Sequence, residues 1–258
     1  MNATKINWCD VSWNPVIGCS KIAQGCKNCY ADNLHTMRHR AFLEGKNLPK
    51  QYADPFNKIQ FFPERLSDQK LKSKKPLRIF VNSMSDLFHE DISFDKINSV
   101  YEVMGFFIQH TFLVLTKRID RALEYYNWTS IFDAYGAMAN VQIVYSASTQ
   151  RELAAGVSSL LSIDATVRGV SLEPLIEQID LVKANCFKGA KKIDWVIVGC
   201  ESGSKRRECI IDDVRLIVKD CREQKVPVWV KQLQLGYGNK VTDKLEDFPA
   251  DLRIRETP

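Results

Sequence analysis

No run in the 258-residue sequence approaches the length of about 20 apolar residues that crosses a bilayer. The opening segment from Met1 to Trp8 is polar and lacks the apolar core of a secretory signal. Internal repeats, low-complexity tracts and linkers are missing too. These absences predict a cytoplasmic protein with no membrane partner, in a compartment where thiols stay reduced. A disulfide framework therefore does not account for the eight cysteines. Charge of one sign is also scarce. The formal excess of +5 singles out no polyanionic partner, and the basic clusters at Lys72, Lys74 and Lys75 and at Lys205, Arg206 and Arg207 read as solvated surface. With 45% apolar and 26% charged residues, the composition is that of an ordinary globular protein. The length suits one barrel or open-sheet domain spanning 1–258.

What is present is an alternation. Short apolar runs at Pro15–Gly18, Leu77–Asn82, Thr111–Thr116, Val141–Ser146, Thr166–Leu172, Asp194–Gly199 and Val226–Lys231 are separated by amphipathic segments. Several runs are near-continuous in Val, Ile and Phe, which predicts strands buried on both faces. The intervening segments predict helices at Tyr30–Glu44, Ser93–Gln109, Ile119–Tyr125, Gln150–Leu161 and Asp212–Gln224, with Ser93 and Asp212 as N-caps. The expected fold class is α/β, a parallel β/α barrel, partial or complete, of the triosephosphate-isomerase type. A doubly wound open sheet is the rival. The Pro-, Lys-, Asn- and Gln-rich stretch at about 45–75 reads as an insertion after the first helix.

Polar residues end six of these runs: Asn82 to Asp86, Thr116 to Arg118, Ser146 to Ser148, Glu173, Glu201 and Lys231. Ligands bind at the carboxyl ends of parallel strands, and charges there are costly to bury without a partner. A shared active-site rim is the expected reading, with ordinary helix caps as the bland one.

Cys19, Cys26 and Cys29 crowd a loop (about 18–30) between the first strand and the first helix. Two of these thiolates lie three positions apart, so one turn can hold both on the same metal centre. Gly18 and Gly25 are expected to let the backbone wrap close to it. Three ligands leave one iron of a four-iron cluster open to an exogenous ligand. A closed zinc site is the alternative, with Cys9, His35 or His39 as the fourth ligand. Cys186, Cys200, Cys209 and Cys221 read as small buried hydrophobes.

The stretch from Trp13-Asn-Pro through Gly18-Cys19 to Cys26, Cys29, Tyr30 and Ala31 resembles the opening of a phage and prophage family similar to radical S-adenosylmethionine proteins. The resemblance continues at Phe80 to His89, Leu115 to Arg118, Ser171 to Leu175, Trp195 to Gly203 and Val230 to Gln232. It implies a radical enzyme with a [4Fe-4S] cluster on Cys19, Cys26 and Cys29, S-adenosylmethionine as cofactor and a host reductant protein as partner. The expected substrate is a small molecule, a nucleotide or a phage DNA base, for hypermodification or repair. Tyr30, Ser83, Ser85, Asp86, Lys117, Ser146 and Ser148 are then expected to hold the cofactor, with Tyr30 packing on adenine and Asp86 accepting from the methionine amine. Glu173, Glu201 and Lys231 are the expected catalytic groups. The sequence lacks the Gly-Gly-Glu that grips the methionine amine in such proteins. A zinc- or cluster-stabilised module that binds nucleic acid or a host protein without catalysis is the other functional class.

Overall fold

Strands and helices alternate in the computed structural model, which describes every residue except 5, 132–135, 137, 190 and 237–239. The strands are β1 (Asn2–Ala3), β2 (Val11–Trp13), β3 (Val16–Ile17), β4 (Gln60–Phe61), β5 (Arg78–Val81), β6 (Thr111–Thr116), β7 (Val141–Ser146), β8 (Val167–Leu172), β9 (Trp195–Gly199), β10 (Val228–Leu235) and β11 (Lys240–Thr242). The helices used below are α1 (Tyr30–Leu43), α2 (Phe94–Phe106), α3 (Ile119–Trp128), α4 (Gln150–Ser162) and α5 (Ile211–Glu223). The main sheet has the order β1-β2-β5-β6-β7-β8-β9-β10-β11. From β2 to β10 all neighbours pair in parallel, and β1 and β11 close the two edges antiparallel.

Period-two alternation sends successive side chains to opposite faces. Ile79, Val81, Phe112, Val114, Ile143, Val170, Val196, Val198, Val228 and Val230 point outward into a core shared with the helices. On α5, Val214, Ile217, Val218 and Cys221 recur at i, i+3, i+4 and i+7 and supply one such stripe. Each aliphatic side chain buried this way contributes about 1.5–3 kcal/mol. Phe80, Leu113, Val144, Trp195 and Ile197 point to the other face and form a second core around Trp8. Among the described residues no helix contributes to this inner core, so the layers fit a partial β/α barrel better than a doubly wound sheet.

The sheet is strongly curved. Four ladder spacings of about 4.8 Å separate β5 from β9, yet the Arg78 guanidinium lies 5.6 Å from the ring centroid of Trp195. The ladder itself does not close. Where β2 and β10 face each other, Asn7 bridges the gap: its Nδ2 donates to the Lys231 carbonyl at 3.0 Å and its Oδ1 accepts from Trp229 Nε1 at 3.0 Å. The architecture is thus mixed α/β with a mostly parallel, open, barrel-like sheet.

Two expectations need correction. The first parallel strand of the main sheet is Val11–Trp13, not Pro15–Gly18; Val16 and Ile17 turn away to pair with Phe61 and Gln60 of the 45–75 insertion. Asp212 is not an N-cap. The cap is Ile210, and Asp212 and Asp213 lie in the first turn of α5, where carboxylates favour the positive end of the helix. Ser93 does cap α2 in extended conformation, but its side chain makes no capping bond.

Candidate metal centre and the cavity at the strand ends

The β2–α1 connection is pinned residue by residue. Gly18 has φ +102°, where an added Cβ would strike the carbonyls of Phe56 and Lys58. Its N–H donates to Met84 O at 3.1 Å, and Cys19 N donates to Phe56 O at 2.9 Å. Gly25 faces Ser148 and Lys117; a Cβ there would collide with Ser148 Oγ and come within 3.2 Å of Lys117 Nζ. Both glycines therefore let the loop dock against the protein, a different use from the expected wrapping around a metal. Gln24–Cys26 forms one 3-10 turn, and α1 starts immediately after Cys29.

All eight cysteines are free thiols, and Cys186, Cys200, Cys209 and Cys221 are buried as expected. Cys19, Cys26 and Cys29 line a single cavity of about 1040 Å³. Burial pushes the Cys19 thiol up to about 12; Asp86 adds to the shift, and Arg118 and its hydrogen bond oppose it. Burial also raises Cys29, against the backbone N–H groups of Asp32 and Ala31. Arg118 Nη1 lies 3.6 Å from Cys19 Sγ, with Nε 2.9 Å and 3.0 Å from the two Glu90 carboxylate oxygens and Nη2 2.8 Å from Ser20 Oγ. His35 and His39 turn instead to the insertion, 2.9 Å from the Asp54 carbonyl and 2.8 Å from the Tyr52 carbonyl. Cys9 Sγ is 3.8 Å from the Ile6 carbonyl. Among the described residues, no group of three or more His, Cys, Asp or Glu is disposed to hold a single metal ion.

The other candidates fall into three groups. Asp86, Ser83 and Ser85 line the cavity but spend their side chains on the scaffold. Asp86 Oδ1 accepts from Thr116 Oγ1 at 2.8 Å and Phe88 N at 3.0 Å, and its Oδ2 from Lys117 N at 3.0 Å. Ser83 Oγ donates to Asn14 Oδ1 at 3.2 Å and Ser85 Oγ to the Val16 carbonyl at 3.0 Å. Tyr30 is half exposed, and its hydroxyl donates to the Ser83 carbonyl at 2.5 Å.

A second group faces the open space. Lys117 Nζ donates to Ser146 Oγ at 2.9 Å, and Lys231 forms an ion pair with Glu173. All four residues line the cavity with the three cysteines, together with Ser12 and Ser171. Lys117, Arg38 and Arg65 carry their charges against neutral acceptors: Ser146, the Tyr52 hydroxyl, and Asn14 O with Gln51 Oε1. The cavity wall thus holds cations that an anionic ligand would complement.

The third group supports the cysteine loop, and of its members Glu201 also lines the cavity, as expected. Ser148 is fully buried, away from the cavity wall, and its Oγ has no hydrogen-bond partner. Glu201 is 5% exposed and meets Arg207 and Asn28. Burial works against its charge, yet hydrogen bonds from Arg207 and Asn28 hold its carboxyl below the usual range. Glu152 was not foreseen as a site residue. Its Oε1 accepts from Gln24 N at 2.9 Å and its Oε2 from Ser148 N at 2.8 Å. The pattern Thr149-x-x-Glu152 signals a capping box, and Thr149 Oγ1 does accept from Glu152 N at 3.1 Å. Here the glutamate also reaches across to the cysteine loop.

One family, described as a protein of unknown function (DUF5131), matches residues 3–248. The chain belongs to the DUF5131 family. No curated protein matches it. Among solved structures, a spore photoproduct lyase complexed with dinucleoside spore photoproduct is similar at 12% identity and a TM-score of 0.48, over 93% of this chain and 69% of that one. Among the described residues of this DUF5131 member, no helix is long and apolar enough to cross a membrane.

Proposed function

We propose that this DUF5131 protein is a radical S-adenosylmethionine enzyme, with a [4Fe-4S] cluster held by Cys19, Cys26 and Cys29 and an anionic substrate of the nucleotide or DNA-base class. The observation that carries the reading is that three free thiols open onto one cavity with Lys117, Glu173 and Lys231. Three thiolates would leave one iron of a four-iron cluster for the cofactor. Bound there, the cluster would supply the electron for reductive cleavage of S-adenosylmethionine, drawn from a reductant protein.

The chain's own residues have separate tasks in this reading. Arg118 balances thiolate charge at Cys19. Lys117 and Ser146 meet the carboxylate of the cofactor or a phosphate of the substrate. Glu173 and Lys231 form a half-buried pair able to hold or pass a proton at a polar group of the substrate.

Anaerobic reconstitution followed by iron and sulfide counting tests the reading. About four irons per chain, and release of 5′-deoxyadenosine from S-adenosylmethionine on reduction, are expected. One tightly held zinc per chain, with no cleavage, would instead identify a structural module.

A further inference from the structure

The geometry assigns Glu201 a role as the positioning residue of the cysteine loop: through Asn28 and Arg207 it locks the turn between Cys26 and Cys29 before any ligand binds. What that loop carries rests on the reading above; the lock itself rests on the contacts.

Glu201 Oε1 accepts from Arg207 Nη2 at 2.6 Å. Its Oε2 accepts from Arg207 N at 2.8 Å, Arg207 Nε at 3.1 Å and Asn28 Nδ2 at 3.0 Å. A carboxylate has roughly four lone-pair sites. Oε2 is fully taken up and Oε1 keeps a single site, so most of the carboxylate is committed to the loop, and a role through Asn28 fits Glu201 better than contact with reacting atoms.

The contacts continue into the loop. Asn28 Nδ2 also donates to Lys205 O at 2.8 Å, and Arg207 Nη1 donates to Gln24 O at 2.9 Å. From the opposite side, Glu152 takes Gln24 N. The segment following β9 and the start of α4 therefore grip Gln24 and Asn28, the residues that bracket Cys26. Within the loop itself, Cys26 N donates to Ala23 O at 3.0 Å, Lys27 N to Gln24 O at 3.2 Å and Cys29 N to Cys26 O at 3.4 Å. These short-range bonds shape single turns, and the contacts from Glu201, Arg207 and Glu152 fix where the turns sit.

Iodoacetamide labelling of the metal-free protein at fixed pH, read cysteine by cysteine by mass spectrometry, tests this. Glu201→Gln and Asn28→Ala should each speed labelling of Cys26 and Cys29 about tenfold to hundredfold, the change in opening equilibrium expected from losing a charge-assisted hydrogen bond. Cys19, held beside Arg118, and the buried Cys186 and Cys221 should keep their wild-type rates. In reconstituted protein the same variants should broaden the electron paramagnetic resonance signal of the reduced cluster, which a loss of bulk stability alone would not do. Wild-type labelling rates at Cys26 and Cys29 in both variants would overturn the lock. Should Glu201→Gln expose Cys186 and Cys221 as well, the fold has opened and Asn28→Ala decides. If wild-type protein takes up no iron while the selective labelling persists, the cluster reading fails and the lock stands. If iron binds and the selectivity is missing, the lock fails alone.

Discussion

Arg118 Nη1 sits 3.6 Å from the sulfur of Cys19 while the same guanidinium contacts Asp86 and Glu90. One buried cation thus serves a candidate metal ligand and two carboxylates. Replacing it strands Asp86, which is 6% exposed. Arg118→Met should cost about 3 kcal/mol in urea unfolding of the metal-free protein, the usual penalty for breaking a buried pair. It should also shorten iron retention against a chelator, with Arg118→Lys intermediate in both measurements.

The cysteines should separate cleanly. Cys19→Ala, Cys26→Ala and Cys29→Ala should each abolish iron binding after reconstitution, whereas Cys9→Ala keeps it, because Cys9 does not line the cavity. Equal loss of iron in Cys9→Ala would mean a closed four-cysteine site.

Gly25→Ala should destabilise the protein by about 1–3 kcal/mol, as overpacking does, since the new methyl meets Ser148 Oγ. Ser148→Gly in the same chain removes that atom and should restore much of the stability. Thermal unfolding of the two single variants and the double variant checks this.

Glu173→Gln and Lys231→Met should each slow turnover about 100-fold, the scale of general acid–base assistance, with cluster content unchanged. As the two form one ion pair, the double variant should lose less than the product of the single effects. Independent effects would separate their roles.

Glu201 carries a pH signature. Its folded carboxyl lies below the usual range, so its stabilisation is complete above the unfolded value of about 4.3 and disappears as pH falls through the folded value. The stability gap between wild type and Glu201→Gln should be present at pH 7 and shrink below about pH 4. A gap independent of pH would show that the charge is not what stabilises this contact.

Much of the fold was legible because the relevant signal is local. Near-continuous Val and Ile runs at Arg78–Val81 and Trp195–Gly199 announce strands buried on both faces, and those faces are filled by two separate cores. The first strand was misread because Val11-Ser12-Trp13 is short and polar at its centre; its strand character comes from pairing with Ile79 to Val81. The cavity-facing candidates were legible as polar residues at strand ends. What the sequence concealed was their division of labour. Asp86, Glu173 and Glu201 all line the cavity and look alike as carboxylates after strands, but only contacts to Thr116, Lys231 and Arg207 tell scaffold from ion pair from loop support. Glu152 was hidden for the same reason. A capping box says nothing of a loop 128 positions away.

That separation bears on how the protein matures. Gln24 waits 128 positions for Glu152 and 183 for Arg207, and Asn28 waits 173 for Glu201. Contacts so distant in sequence form late. The nascent loop is therefore unsupported while most of the chain is still being made, with reactive sulfurs open to oxidants and to adventitious metals. Under the cluster reading, metal loading follows the synthesis of Glu201 and Arg207. Co-translational supply of iron should confer no advantage over supply to the completed apoprotein.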